Sequence, residues 1–169
     1  LAEIENCKNG LPSGIWLKCN SLVDHRLIGL LYDASQAGVP IEIMARGICC
    51  LRPGVAGLSE TITVRSIIGR FLEHGRIYVF ANGGEFLSDK NIVMISSADL
   101  MPRNLRRRVE CFMRLENPTI RKQVLHQIIV EHLRDEKNAW YLQPDGSYVR
   151  PQNVETSPTC HDYILPRAR

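Results

Sequence analysis

Short runs of alternating apolar and polar residues are interspersed with two longer stretches in which apolar residues recur three and four positions apart. The first kind of run is the period of a half-buried strand and the second that of an amphipathic helix. "GIWLKC" (14–19) reads as a strand, and "NSLVDHRLIGLLYDASQAGVP" (20–40) as the helix after it. Leu27, Leu30 and Leu31 mark one side of that helix, with Ile28 at its edge. Asn20 or Ser21 is placed to cap its start, Asp24 suits its first turn, and Gly38 and Pro40 stop it. "IEIMARG" (41–47) alternates again, and strand, helix, strand implies a βαβ unit with parallel strands.

After the loop "CCLRPGVAGLSE" (49–60), the β-branched "TITVRSI" (61–67) predicts a strand, although "SIIGRFLEHG" (66–75) also suits a short helix ended by Gly75. "RIYVFA" (76–81) and "NIVMISSA" (91–98) predict strands joined across "NGGEFLSDK", in which Asn82-Gly83 is a hairpin signal. "VECFMRL" (109–115) predicts one more strand. "NPTIRKQVLHQIIVEHLRDEKN" (117–138) predicts a long helix, capped by Asn117 with Pro118 in its first turn and Ile120, Val124, Leu125, Ile128 and Ile129 on its apolar side. "AWYLQPDGSYVR" (139–150) predicts a hairpin about Asp145-Gly146, and the tail from Pro151 reads as irregular.

The totals agree with one α/β domain: 169 residues, 44% hydrophobic and 23% charged. A net charge of +3 is too mild to require a nucleic-acid partner, and none is expected. Its distribution says more. Residues 65–108 hold eight Lys/Arg against four acids, so the rest of the chain is slightly negative and the positive field gathers around His74. The six cysteines form no C-x-x-C pair. The adjacent Cys49 and Cys50 read as buried thiols of a reducing compartment. No apolar run approaches the roughly 18 residues of a membrane span, and no signal-peptide pattern opens the chain. Its opening residues, from Leu1, read as the middle of a longer polypeptide.

Anion chemistry has several candidates. His74, in "GRFLEHGRIYVF", is followed two positions later by Arg76. A neutral imidazole exchanges protons near pH 7 and attacks phosphorus, while a flanking guanidinium grips phosphate oxygens. A packed histidine at a helix C-terminus fits the same spacing. Arg46 lies at the end of a parallel strand and Arg52 in the loop beyond it, where ligands of open α/β sheets gather, although each also suits a surface ion pair. In "SSADLMPRNLRRRVE" (96–110), Ser96, Ser97 and a following helical turn offer hydroxyl and backbone donors to an oxyanion. The run Arg106–Arg107–Arg108 reads as a solvated charge cluster. No glycine-rich phosphate cradle of either common type occurs. His126 and His132 stand six apart on one helix, His25 and His161 look isolated, and no metal ligand set is expected.

Taken together, "RGICCLRPG", "SIIGRFLEHGRIYVFANGG" and "MISSADLMPRNLRRRVE" closely resemble the C-terminal catalytic domain of bacterial polyphosphate kinases, over nearly the whole chain. That family is similar to the phospholipase D superfamily in its histidine with a basic residue two positions on. The resemblance implies a single-domain phospholipase-D-like α/β/α sandwich with a mixed sheet, spanning residues 1–169 as part of a longer protein. It implies reversible transfer of the ATP γ-phosphate to the end of inorganic polyphosphate through a phosphohistidine carried by a preceding domain. The resemblance puts Arg46 on ATP phosphate and His74 as the acid/base partner; Arg76, Arg52 and Ser97, read from charge and position, are expected as further phosphate contacts. Mg²⁺ would come with ATP or ADP and find its ligands mainly outside this chain. Further implied are contacts with the preceding domains, a homo-oligomer, and a cytoplasmic location, with peripheral attachment at the inner membrane face left open. Isolated, the domain is expected to turn over little or nothing. Arg106, Leu100 and Gly75 stand where the family usually has Asp, Trp and Ser. Two readings compete with the kinase: a phospholipase-D-like phosphodiesterase or nuclease, and a non-catalytic polyanion-binding module.

Overall fold

The three predicted strands of the first half pair side by side in a computed structural model that describes residues 1–167. Strands β1 (Ile15–Cys19), β2 (Ile41–Ala45) and β3 (Ile62–Ile67) run parallel, with Ile15 opposite Ile41 and Ile41 opposite Ile62. Strand β4 (Ile77–Phe80) returns antiparallel beside β1. Beyond it lie β5 (Ile92–Ser96) and β6 (Phe112–Arg114), while β7 (Ala139–Leu142) and β8 (Tyr148–Val149) extend the other edge. The order β6-β5-β4-β1-β2-β3-β7-β8 makes one mixed eight-stranded sheet.

The period of two assigns each strand residue to a face. Ile15, Leu17, Cys19, Ile41, Ile43, Ala45, Ile62, Val64 and Tyr78 point to a first face, under helix α2 (His25–Gln36) with its buried Ile28, Leu31 and Ala34. The short α1 (Ala2–Lys8) packs beside it through Ile4 and Cys7. Met44, Ile77, Val79 and Val93 point to the opposite face, where Leu125 and Ile129 of the second long helix cover them. The expected α/β/α sandwich with a mixed sheet is therefore present.

Several local expectations give way to what the side chains do. Helix α2 is capped by Asp24, whose carboxylate accepts from the backbone N–H of Arg26 and Leu27, so Asn20 and Ser21 lie outside it. Residues 68–76 form no helix: the segment is an open loop between β3 and β4. Asn82 and Gly83 take the positive φ a tight turn needs (53° and 72°), but the β4–β5 connection is a broad loop whose Phe86 stacks on Trp16 at 4.3 Å. After α3 (Pro102–Arg106), the second long helix begins as α4 (Pro118–Val124), with Asn117 and Pro118 as expected. It widens into a π turn (Leu125–Ile129) before α5 (Val130–Arg134). The cause is visible: His132 places its ring Nδ1 2.7 Å from the Ile128 carbonyl and so enters the backbone ladder. Ile120, expected on the apolar side, is 47% exposed. The tail contributes α6 (Cys160–Ile164), seated against Ile67 and Ala139. All six thiols are free. Cys49 is half-buried and Cys50 exposed, because the chain has left β2 and no longer alternates under the sheet.

Candidate functional site

The carboxyl ends of β1, β2 and β3 share one edge of the sheet. The antiparallel pairing of β4 and β5 brings the start of β4 and the end of β5 to the same edge, with Lys18 opposite Ile77 and Ile77 opposite Ile95. Arg46, the loop 68–76 and the segment Ser97–Asp99 therefore meet at this edge, where α/β sheets characteristically bind ligands.

Asp99 organises the side nearest β1. Buried to 7% exposure, it accepts from the Asn20 backbone N–H at 2.8 Å and the Ser21 N–H at 3.3 Å. The Arg76 guanidinium donates to it at 3.0 Å. Burial pulls the Asp99 carboxyl up, but Arg76 and the Asn20 donors outweigh that and hold it below the usual carboxylate range. Arg76 in turn touches His74, its Nη1 lying 3.4 Å from both the ring Nε2 and the backbone carbonyl. Arginine only donates, so this contact uses the lone pair of Nε2. His74 itself is exposed, on an open loop. The Nε of Arg76 is buried with no hydrogen-bond partner among the described residues, an orphan donor beside the imidazole.

Ser97 belongs to the same neighbourhood by way of Glu110. The Glu110 carboxylate accepts from the Ser97 hydroxyl and, at 2.6 Å, from the Asn104 amide, and its charge is coupled to Arg76. Arg46 approaches from the other side of the loop. Its backbone continues the parallel ladder (N–H to the Cys19 carbonyl, 3.2 Å), and its half-buried side chain has no hydrogen-bond or ion-pair partner among the described residues. The clefts it lines are walled by Gly69–Glu73 on one side and by Ser66, Ile68, Trp140 and Tyr148 on the other. The latter cleft is about 310 Å³. Arg52 is set elsewhere, its guanidinium reaching the Pro144 carbonyl at 3.4 Å near Asp145 of the β7–β8 turn. The geometry thus joins His74, Arg76 and Asp99 in one network, sets Ser97 beside it on Glu110, puts Arg46 against the same loop, and leaves Arg52 at the hairpin.

Four residues that the spacing of the chain did not bring forward support this loop from below. Glu73, next to His74, lies 2.7 Å from each of Lys18 Nζ, His132 Nε2 and His161 Nε2. Burial raises its carboxyl, and the His132 and Lys18 contacts bring it far below the ordinary glutamate value. Lys18 was the legible member: a lysine facing inward in the middle of an apolar strand needs a buried partner. His161, which looked isolated in an irregular tail, carried no signal. It packs so closely that a Cβ on Gly69 would sit 2.7 Å from its Nδ1.

The carboxylates here do not fit a hard divalent cation, which wants several free oxygens. Asp99 is committed to Arg76 and two backbone donors, Glu110 to Ser97 and Asn104, and Glu73 to three cations or ring donors. Glu73, Cys160 and His161 converge within 4.8 Å, but Lys18 already neutralises the acid, and burial with Asp135 pushes the Cys160 thiol up. No helix among the described residues is long and apolar enough to cross a membrane.

Comparison with known proteins identifies the family of the chain as a whole. The family model "Polyphosphate kinase C-terminal domain 2" matches residues 1–161. A polyphosphate kinase of Erythrobacter litoralis is 52% identical over 96% of this chain and 23% of its own length. One from Synechocystis is 52% identical over 92% and 21%. The crystal structure of polyphosphate kinase from Porphyromonas gingivalis shares the fold with a TM-score of 0.88 at 36% identity, over 99% of this chain and 25% of that one. The chain spans about a quarter of the length of these relatives. On a family match across nearly every residue, with half of its positions identical to named members, this chain belongs to the polyphosphate kinase C-terminal domain 2 family.

Proposed function

We propose that this chain supplies the nucleotide-phosphate site of a polyphosphate kinase, which moves the γ-phosphoryl group of ATP to the end of inorganic polyphosphate and, in reverse, makes ATP. One observation carries the reading. An exposed imidazole is bracketed by an arginine with a buried Nε–H, and a second guanidinium lines the same loop, neither the Nε–H nor that guanidinium having a partner among the described residues. Phosphoryl transfer asks mainly for position and for neutralised oxygen charge. Arg46, whose guanidinium has no partner among the described residues, takes phosphate oxygens in fork geometry. Arg76, aimed by Asp99, donates its free Nε–H, and His74 holds the leaving oxygen or exchanges a proton. Ser97 is the further phosphate contact of the proposal, while Arg52 stands apart at the β7–β8 turn. The covalent phosphohistidine belongs to a preceding domain, and Mg²⁺ travels with the nucleotide on ligands outside this chain. The preceding domains, a second subunit and a cytoplasmic setting complete the proposal.

The test uses the full-length enzyme. His74→Ala is expected to lower kcat for ATP-dependent polyphosphate synthesis by at least about 100-fold. Arg46→Ala is expected to raise KM for ATP by roughly 10- to 100-fold, the worth of a charge-assisted contact. Nitrophenol release from bis(p-nitrophenyl) phosphate, which a phosphodiesterase would show, is expected to be absent. Near-normal synthesis by His74→Ala would leave only polyanion binding.

A further inference from the structure

The loop that carries His74 is fixed through its neighbour, not through His74 itself. Glu73 receives three donors from three separate elements: Lys18 of β1, His132 of α5 and His161 of α6, each at 2.7 Å. Those partners are buried, with side chains 4%, 2% and 4% exposed, so each contact is made away from water, where it constrains most. Hydrogen-bond stoichiometry assigns the protons. The Phe71 N–H donates to His161 Nδ1 at 3.4 Å, leaving Nε2–H to donate to Glu73. His132 points Nδ1 at the Ile128 carbonyl and Nε2 at the Glu73 carboxylate, each at 2.7 Å. The ammonium of Lys18 also reaches past Glu73 to the Gly75 carbonyl at 3.4 Å. His74 is therefore held between a residue on its N-terminal side and a carbonyl on its C-terminal side, both tied to the sheet through Lys18.

The far end of the same device is α6. Asp135, with no exposed surface, accepts from the Cys160 N–H and from Asn138, and this docks the turn that presents His161. His161 then meets the loop at three points: the Gly69 backbone, the Phe71 ring edge-on at 5.3 Å, and Glu73. Within this set only Glu73 adjoins His74 in sequence.

We propose that Glu73, clamped by Lys18, His132 and His161, is a positioning residue that holds the 68–76 loop so that His74 and Arg76 face the transferred phosphate. This inference rests on the kinase reading. It names how the site is kept assembled and makes the C-terminal helix part of that assembly.

The experiment is a double-mutant cycle in the full-length enzyme, with thermal unfolding recorded beside steady-state kinetics. Glu73→Gln is expected to lower kcat by at least about tenfold in the wild-type background, and by less than about threefold when His74 is already Ala, because its effect runs through that ring. KM for ATP is expected to stay within about threefold. His161→Ala is expected to behave like Glu73→Gln. His161→Gln, whose Nε2 can still donate to Glu73, is expected to restore most of the turnover even if its Tm falls equally. This pair carries the test should Glu73→Gln fail to fold. An equal Glu73→Gln penalty in both backgrounds would overturn the positioning role, as would turnover that simply tracks Tm across the His161 pair. Near-normal activity of His74→Ala alone would remove the role proposed for His74 in phosphoryl transfer and this inference with it. An inactive His74→Ala with normal Glu73→Gln and His161→Ala would remove the inference only.

Discussion

Asp99 shows how one side chain can serve the fold and the site together. It closes the carboxyl end of β1 by accepting from Asn20 and Ser21, and it aims Arg76. Asp99→Ala strands those donors and is expected to destabilise the domain by about 3 kcal/mol or more, the cost of breaking a buried charged network. Asp99→Asn keeps an acceptor for the Asn20 N–H and should cost less. Thermal unfolding of the two variants measures the difference, and equal losses would assign the stabilisation to charge alone. At this scale the chain was half legible. Arg46, His74, Arg76 and Ser97 stand out because charged or polar residues at strand ends invite ligands. Glu73 and Glu110 do not, because an acid in a loop looks solvated until its partners are known. Those partners lie at positions 18, 132 and 161, and 97 and 104, and only the folded chain assembles them.

Elements were read best where one period decides them. Alternation located β1 to β5, and Asn117-Pro118 located the start of α4. Reading failed where a side chain overrides the backbone pattern. His132 opens a π turn inside a helix that is periodic in sequence, and Gly69 lets the loop lie flat on His161 where a short helix was the competing expectation. The helix α6 hid in a segment without periodicity because its docking depends on one buried acid, Asp135. Truncating the full-length protein before Thr159 is expected to raise amide hydrogen exchange across residues 68–76 by about tenfold or more, since the Phe71 N–H and Glu73 both lose His161. Unchanged protection of that loop would mean α6 is a passive appendage.

For the whole molecule, a sheet with a cationic edge must keep its acids ionised to hold that edge in place. Glu73, Asp99 and Asp135 all sit below their ordinary values of 4.5, 3.8 and 3.8. Burial opposes this in each case, and the His132 and Lys18 contacts, the Arg76 and Asn20 contacts, and the Asn138 and Cys160 N–H bonds respectively outweigh it. A depressed folded value means stability that is fully present above the ordinary value and drains away as pH falls towards the folded one. Glu42, pushed up by burial despite Arg65, runs the other way and softens the loss. The Tm is therefore expected to hold between pH 7 and 5 and to drop below about 4.5. A flat profile down to pH 3 would show that these acids do not support the fold.

Convergence of Arg46 and His74 on one phosphate group is the claim on which the functional reading stands, since Arg46, at the end of β2, lines the loop that carries His74. A double-mutant cycle of Arg46→Ala and His74→Ala, read as kcat/KM for ATP in the full-length enzyme, tests it. Shared contact with one phosphate predicts that the combined loss falls short of the product of the single losses by about fivefold or more, a coupling of order 1 kcal/mol. Losses that multiply without coupling would mean that the guanidinium and the imidazole serve separate places.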